Sequence, residues 1–98
     1  MIYISNAFSL QMVSEAKYQL NIEEISKDFF DEIKDKALSC VGHEDTANLL
    51  QVDFNRTNIS LLKGDILYVA QLTGGRLPEG ATELPEGFSF KFLKVELL

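Results

Sequence analysis

The chain is 98 residues long, enough for one hydrophobic core and too short for two. It is 46% hydrophobic and 24% charged, the balance of an ordinary globular domain. No run approaches the ~20 apolar residues of a bilayer span, and nothing at the start reads as a signal peptide. The formal net charge is −6, with four basic and nine acidic side chains in residues 1–50. That makes the chain a poor candidate for holding long nucleic acid on a basic face, although a small phosphate-bearing ligand gripped by a few donors is compatible with it. One cysteine, Cys40, excludes an intrachain disulfide framework and points to a reducing, cytoplasmic setting.

In chain order, "MIYIS" (1–5) is β-branched and aromatic and reads as a buried strand. "NAFSLQMV" follows, where the Ser9 hydroxyl is suited to cap a short helix. "AKYQLNIEE" alternates, with Tyr18, Leu20 and Ile22 on one side, and reads as a half-buried strand. From Ser26 the period becomes helical, with Ile25, Phe29, Phe30, Ile33, Ala37 and Leu38 recurring at that spacing and Ser26 and Asp28 at the N-terminal end. On this reading Cys40 packs at an apolar helix end. Gly42 breaks the chain and "HEDTANLL" begins a second, shorter helix.

"NISLLK" and "DILYVAQL" flank Lys63-Gly64-Asp65, the pattern of a hairpin, and the second run is apolar enough for a central strand. "TGGRLPEGATELPEG" is a loop. Its repeated "LPEG" (77–80 and 84–87) suggests two turns with Pro in the second position and Gly in the fourth. "FSFKFLKVEL" alternates with one phase slip between Phe92 and Leu93, which implies a bulge or an end strand buried on both faces. The order is βαβααβββ in a single domain over residues 1–98, α/β or α+β, with a mixed sheet of about five strands.

Little in the composition supports metal or nucleophile chemistry. Cys40 and His43 have ligand-like spacing, but no third Cys or His exists to complete a zinc site. No segment forms a calcium or magnesium loop, and no serine lies in a nucleophile elbow. No metal or cofactor is expected. The informative places are the two helix starts, at Asn6–Ser9 and at Gly42-His43, where free N–H groups favour an anion. His43 is the one histidine, the side-chain type best suited to both give and take a proton, and "TGGR" offers Arg76 on a flexible loop. Each has an ordinary alternative: Ser9 as a cap, His43 as a surface histidine, Arg76 as a loop cation.

Taken together, "SNAFSLQM" (5–12), "GHEDTANLL" (42–50) and "YVAQLTGGRLPEG" (68–80) resemble the viral ring nuclease family of type III anti-CRISPR proteins. The resemblance implies a two-fold homodimer with a central mixed sheet and a pocket across the axis. It implies cyclic tetra-adenylate as substrate, cut without metal to linear di-adenylate bearing a 2′,3′-cyclic phosphate. That reaction would counteract type III CRISPR defence in the host cytoplasm. Carried over residue by residue, His43 matches the catalytic histidine, Ser9 the site serine, Arg76 the loop arginine and Glu79 the acid three residues after it. Asn6, Ala7, Phe8, Gly42 and Gly75 fall inside the matched motifs and take ligand-binding roles. Glu86 in the second "LPEG" has no counterpart.

The chemistry suits those residue types. Metal-free cleavage needs a ribose 2′-oxygen aligned with the phosphorus, charge stabilisation on the phosphoryl oxygens and a proton for the leaving 5′-oxygen. Two competing readings use the same fold: a module that sequesters a nucleotide without cutting it or docks on a host protein, and a DNA-binding regulator. The acidic charge and the lack of a recognition-helix pattern weaken the latter.

Overall fold

The computed structural model describes all of residues 1–98. Five strands form one mixed sheet in the order β2-β5-β4-β1-β3, made of β1 (Ile2–Ser5), β2 (Leu20–Ile25), β3 (Leu38–Ser39), β4 (Ile66–Thr73) and β5 (Ser89–Leu97). β1 runs parallel to both β3 and β4, whereas β5 runs antiparallel to β4 and β2. Two short helices, α1 (Lys27–Ile33) and α2 (Glu44–Leu50), complete an α+β domain.

β4 carries the expected pattern of a central strand. Leu67, Tyr68, Val69 and Ala70 are all buried because successive side chains enter opposite faces of the sheet. Tyr68 and Ala70 join Ile4, Phe30, Val41, Ala47, Leu50 and Phe92 in a core that includes side chains of both helices. Leu67 and Val69 join Cys40, Ile59, Leu61, Val95 and Leu97 on the other face. The phase slip in β5 follows from these two cores. Its pairing with β4 is regular from Ser89 to Glu96, without a bulge, and β5 is interior, between β2 and β4. Its first half packs Phe90 and Phe92 into the first core, and its second half packs Val95 and Leu97 into the second.

Three further expectations about the fold need correction. The helix after Ser26 starts as expected, with Ser26 Oγ accepting the Phe29 N–H at 3.1 Å. It ends at Ile33 instead of reaching Leu38; a 3-10 turn over Lys34–Lys36 leads into β3. Leu38 and Ser39 pair with Tyr3 and Ile4, and the Cys40 N–H donates to the Ile4 carbonyl at 2.7 Å. The open edge of β1 needs backbone partners, and satisfying it outweighs the helical periodicity of the segment. Cys40 is buried as expected, but beside an edge strand; burial pushes its thiol pKa up, the opposite of an activated nucleophile.

The second correction is that "NISLLK" is not a strand and makes no hairpin with β4. Its Ile59 and Leu61 are buried in the second core, so the alternation is real. The backbone, however, pairs with residues 12–14: Leu61 N–H donates to Met12 and Ser14 N–H to Leu61. Third, the two "LPEG" turns are shifted by one residue. Ala81 N–H donates to Pro78 and Phe88 N–H to Pro85, which puts Gly80 (φ 75°) and Gly87 (φ 84°) in the third position, where a type II turn requires positive φ. The second turn also has a seat. A Cβ on Gly74 would lie 2.6 Å from the Gly87 carbonyl oxygen, so only glycine lets these two loops touch.

Candidate functional site

β1, β3 and β4 point their C-terminal ends the same way, and ligands of open α/β sheets characteristically bind beyond such ends. β4 continues four residues past its last partner on β1, Val69 to Thr73, before the chain turns at Gly74 and Gly75. There Asn6, His43, Asp45, Thr46, Leu72, Gly75, Arg76, Leu77 and Glu79 line a cleft of about 650 Å³.

His43 occupies the N-cap of α2, with extended backbone (φ −124°, ψ 117°). N-caps normally use a side-chain oxygen; here the imidazole takes that role. Its Nδ1 accepts the Thr46 N–H at 3.2 Å and lies 3.1 Å from Thr46 Oγ1. A ring nitrogen that accepts a backbone N–H carries no proton, so the neutral ring holds its hydrogen on Nε2. The ring remains exposed. His43 is therefore both a helix cap and an available imidazole.

The loop carrying Arg76 and Glu79 is fixed at three points. Leu77 is buried. Gly74 sits against Gly87. The Gly80 N–H donates to Asp45 Oδ2 at 3.0 Å, tying the loop to the first turn of α2. Asp45 thus holds Glu79 over the same cleft that His43 lines. Arg76 and Glu79 themselves are exposed.

Of the residues singled out from sequence, Asn6, His43, Gly75, Arg76 and Glu79 share this cleft. Gly42 adjoins it: its N–H faces Asn6 Oδ1 at 3.4 Å, and the Arg56 side chain lies against it. Ser9 does not. It borders a second pocket of about 400 Å³ with Ser5, Gln11, Met12, Thr57, Asn58 and Ile59. Ser9 holds the N-cap position of a 3-10 turn, Leu10–Met12, but its hydroxyl makes no capping bond, contrary to expectation. Phe8 packs half-buried against the second core and Ala7 is exposed; neither lines the cleft.

Asp45 and Thr46 are the polar cleft residues that sequence reading missed, beside the apolar Leu72 and Leu77. A signal existed. The third residue of a helix has an unsatisfied N–H that the N-cap side chain must accept, so His43 at the cap already implied a contact with Thr46. No three His, Cys, Asp or Glu side chains come together as metal ligands would, and no helix is long and apolar enough to cross a membrane.

A family model described as STIV B116-like matches residues 2–90. Among solved structures, the chain is similar to B116 of Sulfolobus turreted icosahedral virus, with a TM-score of 0.79 at 23% identity over 97% of each chain. At that identity the likeness is one of fold. No curated protein sequence matches the chain.

Proposed function

The chain belongs to the STIV B116-like family, and from that premise and the cleft we propose that it is a viral ring nuclease. The family that its three segments resemble is this one. The proposed reaction is metal-independent cleavage of cyclic tetra-adenylate to linear di-adenylate ending in a 2′,3′-cyclic phosphate. The observation that carries the reading is the convergence of the only imidazole, Arg76 and Glu79 on one cleft at the C-terminal end of the parallel strands.

In this reading the 2′-oxygen attacks the adjacent phosphorus, its proton passing to solvent, and the bond to the 5′-oxygen breaks. His43, as imidazolium, gives its Nε2 proton to that leaving oxygen, a contribution of roughly 10²–10⁴ in rate. Arg76 stabilises charge on the phosphoryl oxygens. Glu79 orients Arg76 or a ribose hydroxyl. A ring with four phosphates is most simply enclosed by a two-fold dimer, which sets two copies of His43 against opposite phosphates and yields two dinucleotides.

One cleft also carries Asp45 and Glu79, two acids against one guanidinium. The Gly80 N–H occupies one Asp45 oxygen, which moderates its repulsion of a phosphate. A second reading, capture of the ring without cleavage, draws on the His43 capping bond, because that bond gives the imidazole a structural task whatever its chemistry. Incubation with cyclic tetra-adenylate in excess EDTA, with products resolved by mass, separates the two. Linear di-adenylate with a cyclic phosphate is expected. An intact ring that stays bound to the protein would mean sequestration.

A further inference from the structure

General acid catalysis by His43 sets a demand that the N-cap contact alone does not meet. The Thr46 amide is only a donor, so it holds the neutral ring through a bare Nδ1 but faces a second donor, Nδ1–H, once the ring is charged. The Thr46 hydroxyl lies 3.1 Å from the same nitrogen and can donate or accept. Its residue is buried on the first turn of α2, next to the buried Ala47, so the oxygen cannot drift far from the ring.

Resting on the ring-nuclease reading, we propose that Thr46 is a positioning residue whose hydroxyl accepts the Nδ1–H of the His43 imidazolium. The amide holds the neutral ring, the hydroxyl holds the charged one, and Nε2 keeps a single aim through the proton's departure and return. Such constancy matters because proton transfer requires hydrogen-bond reach throughout. The charged groups of the cleft are Asp45 on α2 and Arg76 and Glu79 on the loop; Glu44 follows His43 in the first turn of α2 and Arg56 lies beside Gly42. All of these stay in place when Thr46 is changed, and Asn6 on the remaining wall is neutral.

Thr46→Val removes the hydroxyl at nearly constant volume, and Thr46→Ser restores it. With one histidine per chain, imidazole NMR reports His43 without ambiguity and without any ligand. In Thr46→Val the ring should titrate roughly half to one pH unit lower than in the wild type, the effect of one lost hydrogen bond to the cation. Thr46→Ser should titrate like the wild type. In cleavage assays the alkaline limb of Thr46→Val should move to lower pH by the same amount, with kcat reduced about tenfold and KM little changed. Thr46→Ala stands in if the valine variant does not fold. Coincident titrations in the wild type, Thr46→Ser and the apolar variant overturn the proposal. A displaced titration in a protein that never cleaves the ring would instead overturn the nuclease reading alone.

Discussion

Two cavities open at the same end of the sheet, and adjacent residues of one strand end divide them. Asn6 walls the cleft that holds His43, Asp45, Arg76 and Glu79, while Ser5 walls the pocket that holds Ser9, Gln11, Thr57 and Asn58. The first contains every titratable group of the candidate site; the second contains hydroxyls and amides and no charge. Neighbouring residues on a strand point to opposite faces, so a single step along the chain separates a place for charge chemistry from a place for neutral hydrogen bonding. The lesson concerns Ser9. Sequence resemblance groups it with His43, whereas the structure sets it in the uncharged pocket, apart from the imidazole.

The largest effect expected on that contrast is from His43. Because the ring caps α2, His43→Ala removes a cap as well as the proposed proton donor, and should cost about 0.5–2 kcal/mol of stability from the cap alone. His43→Asn keeps a capping oxygen and cannot transfer a proton. It should fall at least roughly 10²-fold in cleavage rate while thermal unfolding stays close to the wild type and the ring still binds. A His43→Asn protein that cleaves normally would dissolve the distinction between the two cavities.

A smaller but more discriminating contrast sets Arg76 against Ser9. Arg76→Ala should weaken binding and slow cleavage together, by about tenfold or more, and by more than Lys63→Ala on the far side of the domain. Ser9→Ala should cost a few-fold in affinity, the worth of one neutral hydrogen bond, with kcat unchanged. Steady-state kinetics of the three variants checks this. A selective fall in kcat for Ser9→Ala would return the serine to the chemistry.

Asp65 lies in neither cavity and should have the smallest effect on binding and cleavage. Burial opposes its ionisation, but the Leu62 N–H and the Met1 ammonium, at 2.9 and 3.0 Å, overcome that and hold its pKa below the usual carboxylate value. Stability from this group is therefore present above the unfolded-state value of ~3.9 and is lost as pH falls through the lower folded value. Asp65→Ala should cost about 0.5–1.5 kcal/mol near neutrality, chiefly by removing the acceptor of the partly buried Leu62 N–H bond. The wild-type advantage should shrink below about pH 4. Chemical denaturation of both proteins across that range is the check, and neither ligand affinity nor kcat should change.

Much of the fold was legible because apolar spacing reports burial directly. β1, β4, β5 and the start of α1 at Ser26 all follow from it. What misled was spacing produced by something other than the element it resembles. Ile59 and Leu61 alternate because the chain lies across the sheet and buries every second side chain, although its backbone pairs with residues 12–14. Ala37 and Leu38 keep helical phase, but the unpaired edge of β1 claims the following backbone. Long-range pairing is invisible to any local pattern. In the cleft, His43 and Arg76 were legible from residue type and position and Glu79 only through resemblance; Asp45 escaped notice because its task, accepting the Gly80 N–H, depends on a loop 35 residues away.

The most direct measurement is a single turnover of cyclic tetra-adenylate by excess protein in EDTA, with His43→Asn run alongside and both products and bound ligand resolved by mass. Catalysis at the charged cleft predicts that the wild type converts each ring to two linear di-adenylates with 2′,3′-cyclic phosphates, while the variant retains the ring intact. No conversion by the wild type, or equal conversion by both proteins, would contradict it.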